Sequence, residues 1–328
     1  MQKGLVSVLT PCYNGDKLIS RLLDSLLQQD YPNMEIIIVD DGSTDNTKDV
    51  VHSYKQRFET KGISFNYIYQ YNGGQSAAIN NGLKYVNGEY LVWPDCDDYF
   101  RKHYSISKFV SILSEKGQDY GIVRCIPTYI NEKTGVEHIY HQLNEETLKE
   151  NQFENCLYSQ NFFWGAGDYM VRMEAFDKTN PKREIYVEKN AGQNWQMLLP
   201  ILYSYKCVTT EESLFNVLER DSSHCRGQYK TYEQKLAKCS SFRNAILQTI
   251  EGIATMNHSE KIEYCKKIII KYKFQELNLA IIFNDKVGER RIISELSRNG
   301  VIVNNSYVFK LRIKNSLVGK FLKLFLNL

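Results

Sequence analysis

Apolar positions along this chain change their period in a regular order. Residues 5–10 form a continuous apolar run, as expected of a strand buried on both faces. Pro11 is expected to end it. Ile19, Leu22, Leu23, Leu26 and Leu27 then recur at helical spacing, and Tyr31-Pro32-Asn33 closes that helix. Residues 35–39 read as a second buried strand, stopped by Asp40-Asp41-Gly42-Ser43-Thr44-Asp45. Val50, Val51, Tyr54 and Phe58 mark a second helix. Residues 63–70 read as a third strand, and residues 75–85 as a third helix behind the Gly73-Gly74 loop. After the Asn87-Gly88 turn, Tyr90, Leu91, Val92 and Trp93 predict a fourth strand. The order β-α-β-α-β-α-β with short loops predicts a doubly wound, mostly parallel sheet. Ligands of such sheets bind beyond the C-terminal strand ends, where strand order reverses. Thr10–Asn14, Asp40-Asp41 and Asp95–Asp98 all lie at such ends.

The second half is less regular. Residues 103–118 read as helix, and residues 120–130 and 136–141 as a hairpin around Glu132-Lys133-Thr134-Gly135. Helix is expected near 145–157. Residues 162–173 contain WGAGDYMVR, a loop running into an apolar stretch. A short amphipathic helix is expected over 194–202 with Pro200 inside or ending it, then short strands at 207–210 and 213–218. Beyond Asp221, residues 228–252, 258–284 and 287–298 all carry helical spacing. A boundary is therefore expected near residue 225, separating an α/β part from a helical C-terminal region over 226–328.

Composition sharpens this only in places. The chain has 328 residues, 43% of them apolar and 24% charged, a globular balance of a size for about two domains. It has no apolar run of membrane-spanning length and no signal peptide, which predicts a cytoplasmic protein unless its surface binds a membrane. Eight cysteines are scattered without a CxxC pair, which fits reduced thiols rather than a disulfide framework or zinc site. The net charge of +3 hides an asymmetry: residues 229–328 carry +10 and residues 1–228 carry −7. Anionic lipid, nucleic acid or a polyanionic polymer each fits a basic tail. Within residues 307–328, Lys310, Arg312, Lys314, Lys320 and Lys323 occur without an acid. Leu317, Val318, Phe321, Leu322, Phe325 and Leu328 fall on one helical face. This pattern suits an interfacial helix on the inner face of the cell membrane, or a helix docked on its own protein or on a second copy in a homo-oligomer.

The candidate chemistry is acidic. On an extended segment alternate side chains share a face, so Asp95 and Asp97 can point together while Cys96 points away. Two such carboxylates form an incomplete cage for a hard cation, and Mg²⁺ is often held by carboxylates plus substrate phosphates. The competing reading is a solvated acidic turn. Asp40 and Asp41 can accept hydrogen bonds from a base or ribose, or simply punctuate a strand end before a helix cap. No GxxxxGK[ST] loop or GxGxxG is present, so phosphates would need a metal. Asn72–Ser76 can offer backbone N–H groups at a helix start, or be only a loop and cap. His224 stands alone near the expected boundary, and His138 and His141 on the hairpin lack zinc spacing.

With these clusters in place, residues 4–100 closely resemble family 2 glycosyltransferases of the GT-A fold, and a looser resemblance extends to about residue 225. The stretches that carry it are VSVLTPCYNGDKLISRLLDSLLQQDYPNMEIIIVDDGSTDNT and NGGQSAAINNGLKYVNGEYLVWPDCDDYF. The resemblance implies a GT-A domain over 1–225, with a nucleotide-binding half to residue 100 and an acceptor-binding half after it. It implies that Asp41 binds the nucleotide base, with Thr10, Pro11 and Tyr13 lining the pocket. Asp95 and Asp97 become the DxD motif, the first facing the ribose and the second holding Mn²⁺ or Mg²⁺ on the diphosphate. His224 matches a late residue that meets the diphosphate or metal in some relatives. The implied reaction is metal-dependent inverting transfer from a nucleotide-diphosphate sugar, expected to be a UDP-sugar, to a saccharide acceptor, with no nucleic acid involved. The basic tail adds the expectation of a lipid-linked acceptor in surface-polysaccharide synthesis.

One position departs from the family. An inverting transferase needs a general base, usually an Asp in an ED pair before an amphipathic helix. Here that stretch reads Gly192-Gln193-Asn194-Trp195-Gln196, and an amide is not a base. Glu188 and Asp168 are the candidate bases, leaving Gln193 and Asn194 to hydrogen-bond an acceptor. Two other classes compete: a sugar nucleotidyltransferase, which lacks its usual basic glycine-rich loop here, and a non-catalytic nucleotide- or saccharide-binding module, which Asn194 motivates.

Overall fold

The computed structural model describes residues 1–188, 192–220 and 229–315. Its strands are β1 (Gln2–Cys12), β2 (Met34–Asp40), β3 (Ser64–Tyr69), β4 (Gly88–Val92), β5 (Tyr99–Phe100), β6 (Tyr120–Cys125), β7 (Thr128–Asn131), β8 (Glu137–His138), β9 (Tyr169–Arg172), β10 (Lys206–Thr210) and β11 (Phe215–Glu219). Seven of them build one sheet in the order β3-β2-β1-β4-β9-β6-β10. Its pairings are parallel except the two made by β9, which runs antiparallel to both β4 and β6.

This sheet is buried on both faces because its strands are apolar at consecutive positions. All seven residues of β2 are buried. Side chains alternate across it. Leu9, Ile37, Val39, Leu91 and Val171 join the core under the helices Gln75–Leu83, Met173–Thr179 and Asn194–Ser204. Val6, Val8, Ile36, Ile38 and Val92 join the core under Ile19–Leu27, Thr47–Thr60 and Ser105–Lys116. Each Ile, Val or Leu so buried stabilises the fold by about 1.5–3 kcal/mol. The C-terminal helices Tyr232–Gly252 and His258–Ile282 place Ile246, Ile250, Ile268 and Tyr272 in the first of these cores. Their packing is therefore continuous with that of the sheet.

The remaining strands form a small sheet in the order β5-β11-β7-β8. It stands beside the C-terminal ends of the large one. The chain reaches it from β6, because the run expected as one strand over 120–130 is broken at Ile126-Pro127. Proline cannot donate to a ladder, and the break lets Thr128–Asn131 leave the large sheet and pair with β11 and β8. The hairpin exists, between β7 and β8 only. Pro11 behaves differently from its expected role, because β1 continues through it to Cys12. Pairing with β4 has ended at Val8, so Pro11 sits where one flank needs no donor. Pro200 lies inside its helix. The helix expected near 145–157 is two short ones, Glu145–Leu148 and Phe153–Tyr158.

Candidate active site

Strand order reverses between β1 and β4, since β2 and β3 lie to one side and β9, β6 and β10 to the other. Polar loops meet at the C-terminal ends of β1, β2 and β4. The loop after β1 is stitched to the loop after β2. Asp41 donates its backbone N–H to Cys12 O (2.8 Å), Thr44 donates to Asn14 Oδ1 (2.8 Å), and Gly15 donates to Thr47 Oγ1 (2.8 Å). These bonds hold the loop that carries Tyr13, which is about half exposed, against the loop that follows β2. Thr10 and Pro11 lie beneath the surface, and the Thr10 hydroxyl has no partner among the described residues.

Asp41 is buried and fully engaged. Oδ1 accepts from Gln70 Nε2 (2.7 Å) and from the Gly73 amide (2.8 Å), and Oδ2 accepts from the Gly74 amide (2.8 Å). The N–H groups of the Gly73-Gly74 loop thus point at Asp41. Gly42 makes this approach feasible: its φ is +79°, and a Cβ there would lie 2.7 Å from the Asn72 nitrogen. Asp40 is structural, accepting from the Ser43 amide (2.8 Å) and the Tyr67 hydroxyl (2.5 Å).

The acids after β4 converge by a route that strand alternation does not describe. Residues 93–98 belong to no strand; the Asp98 amide donates to Asp95 O (3.2 Å) across a turn at Cys96-Asp97. The turn gathers Asp95, Asp97 and Asp98, with one oxygen of each within 4.8 Å of the others. Hard carboxylate oxygens at this spacing fit Mg²⁺ or Mn²⁺. Asp95 accepts from Gln75 Nε2 (2.7 Å), and the Gln193 amide also faces it. Loss of hydration and the neighbouring Asp97 push its carboxyl up to about 7. Asp98 is buried and accepts from the Leu218 amide (2.8 Å), which fastens β11 to the turn. Burial, Asp97 and Asp95 push it well above the usual carboxylate range. Asp97 pairs with Arg220. Arg220 follows the strand predicted over 213–218, and its charge there is the only signal that could have marked it.

The candidate bases differ sharply. Asp168 is fully buried at the start of β9, and neither carboxylate oxygen has a hydrogen-bond partner among the described residues. The Gly165 amide faces it without reaching hydrogen-bond geometry. Burial pushes its carboxyl well above the usual range, opposed by Arg124. Glu188 is partly exposed. Its segment is tied to the helix Gln75–Leu83 by Asn80, which donates to Ile185 O and accepts from the Ile185 amide (2.8 Å each). Gln193, further along the chain, stands beside Asp95. Asn194 is committed elsewhere: Oδ1 accepts from Trp93 Nε1 (3.1 Å) and Nδ2 donates to Trp164 O (2.7 Å). His141 lies 3.4 Å from the Tyr129 hydroxyl and packs on Phe163, while His138 stacks on Tyr140. His224 lies outside the described residues.

A family model described as glycosyl transferase family 2 matches residues 7–179, more than half of the chain. The chain belongs to glycosyl transferase family 2. An uncharacterised glycosyltransferase of Bacillus subtilis, EpsJ, is 32% identical over 181 residues, covering 54% of this chain and 50% of that protein. Of the curated relatives matched first, the chain spans half the length or less. The crystal structure of Staphylococcus aureus TarS 1–349 with UDP-GlcNAc superposes with a TM-score of 0.64 at 16% identity, over 94% of this chain and 88% of that one. Mannosyltransferase PcManGT from Pyrobaculum calidifontis, solved with GDP-Man and Mn²⁺, gives 0.54 at 15% identity, over 98% and 81%. The family-2 chain thus has the GT-A fold expected from its motifs, extended by C-terminal helices.

Proposed function

We propose that this chain is a metal-dependent inverting glycosyltransferase that moves a sugar from a nucleotide-diphosphate sugar, with a UDP-sugar as the first choice of donor, to a saccharide acceptor. The observation that carries this reading is the meeting of Asp41 and the Asp95-Asp97-Asp98 turn at the point where strand order reverses. Tyr13 and the Asp41 loop hold the base, Asp95 the ribose, and Asp97 with Asp98 hold Mn²⁺ or Mg²⁺. When bound there, the ion stabilises the departing diphosphate as a Lewis acid. Neighbours solved with UDP-GlcNAc and with GDP-Man and Mn²⁺ support the donor class and the metal. Glu188 is the better base, because it is partly exposed on a segment leading toward the site while Asp168 is sealed and resists ionisation.

The test is a panel of UDP- and GDP-sugars with Mn²⁺, read by nucleotide release. Slow release that Asp97→Ala abolishes supports the transferase. Tight donor binding without turnover, even with acceptor, would make the chain a binding module instead.

The acceptor is proposed to be lipid-linked, on the basic tail's account, and the protein to work at the membrane surface. No helix among the described residues is long and apolar enough to cross a membrane. The apolar face expected over Leu317–Leu328 lies outside the described residues. Helix Asn305–Asn315 is docked through Arg312 to Glu289 (2.6 Å) and Asn315 to Asn278 (2.8 Å). Deleting residues 316–328 removes the expected apolar face together with Lys320 and Lys323 and should weaken binding to anionic vesicles; unchanged binding would remove the membrane from the proposal.

A further inference from the structure

The acid turn already carries a cation of the chain's own. Arg220 NH2 bonds Asp97 Oδ2, and both side chains are largely buried. The placement is built rather than incidental. β11 is held at the end of the turn and just beyond it: Phe215 and Asn216 pair with Phe100 and Tyr99, and the Leu218 amide bonds Asp98 (2.8 Å). Two residues further on, the chain delivers Arg220 to Asp97. Only part of the guanidinium is used, since its Nε is buried without a partner among the described residues. Three clustered carboxylates repel one another, and a single guanidinium relieves part of that repulsion.

We propose that Arg220 is an exchangeable counter-ion: it holds Asp97 until a divalent cation takes that carboxylate, and then turns to the donor's diphosphate. The inference rests on the metal and nucleotide site proposed above. Its chemistry follows from the two cations. A carboxylate oxygen is a preferred ligand of Mg²⁺ or Mn²⁺, whereas a guanidinium fits a phosphate with two parallel hydrogen bonds. Arg220 thus competes with the metal and cooperates with the nucleotide. Metal binding frees the guanidinium for the diphosphate, and the diphosphate draws it off Asp97. Metal and nucleotide therefore favour one another through Arg220, and the coupling is reciprocal.

The test needs no turnover. Mn²⁺ binding to the metal-stripped full chain is measured by electron paramagnetic resonance, and UDP binding at saturating Mn²⁺ by calorimetry. Arg220→Gln should bind Mn²⁺ alone about tenfold more tightly and UDP with Mn²⁺ about tenfold more weakly, these being the effects expected of one charge-assisted pair. Arg220→Lys should keep part of the competition and lose most of the UDP gain, because an ammonium lacks the planar fork. A merely structural Arg220 would weaken both affinities on substitution, and an idle one would leave both unchanged; either result overturns the proposal. Asp97→Asn separates the two levels of the reading. If it leaves wild-type Mn²⁺ affinity intact, the metal site itself is misplaced. If it abolishes that affinity while Arg220→Gln shifts nothing, only the exchange fails.

Discussion

Asp168→Asn is the most discriminating substitution in the buried half of the site. The native carboxylate is fully buried, both its oxygens lack partners among the described residues, and its pKa is raised well above the ordinary value. A raised folded-state pKa means that Asp168 favours the fold when protonated. That contribution is fully present below the unfolded carboxylate pKa of about 4 and is lost as pH rises toward the folded value. Within that window each pH unit removes about 1.4 kcal/mol of stability. The asparagine side chain does not ionise, so the variant should lack this slope. An orphaned buried amide has its own cost of about 1–3 kcal/mol, so the slope is the readout and the intercept is not. Urea unfolding of both proteins from about pH 5 upward should show the variant gaining on the wild type with pH until Asp168 ionises in the fold, and holding level with it beyond that point. Other titrating groups are common to both proteins and cancel to first order. Parallel curves would refute the reasoning. They would mean that Asp168 is ionised in the fold, and would restore it as a base.

Two further outcomes follow from the same geometry. Glu188→Gln should lower sugar transfer about 100- to 10,000-fold while leaving UDP affinity near its native value; retained transfer in a coupled UDP-release assay would exclude Glu188 as the base. Asn194→Asp should not rescue a missing acid. It replaces the N–H that meets Trp164 O at 2.7 Å with an acceptor facing an acceptor, at a cost of about 1–3 kcal/mol. Its melting temperature should therefore fall, and fall further as pH rises and the new carboxyl ionises. An unchanged melting temperature with faster transfer would show that the Asn194 side chain is free during the reaction.

The nucleotide half was legible because its information is local. Helix Ile19–Leu27 coincides with the spacing of its leucines, and β2 and β4 lie within two residues of the expected apolar runs. Parallel strands buried on both faces write themselves as such runs. The acid cluster was legible as composition but not as geometry, because a turn from Asp95 to Asp98 replaces the expected extended segment. The second half resisted for the opposite reason. β9 has only four residues, and nothing local in Tyr169–Arg172 says that it inserts antiparallel between two distant strands. The run over 120–130 reads as one strand although its two halves serve different sheets. Arg220 and Gln70 act through partners more than 25 residues away, Asp97 and Asp41, which no periodicity reports.

The position of β9 also sets a schedule for synthesis. β4 can pair with β1 once both have left the ribosome, but its other edge must wait for Tyr169–Arg172. Chain growth at typical rates leaves that edge bare for about 4 to 16 seconds. It belongs to an apolar strand that leads into Trp93, the kind of surface that recruits foreign strands. The nascent protein is therefore most exposed to aggregation after its recognisable motifs are complete and before the plain four-residue strand arrives. Slow codons placed between residues 93 and 169 should lower the soluble yield, whereas the same codons placed after β9 should not.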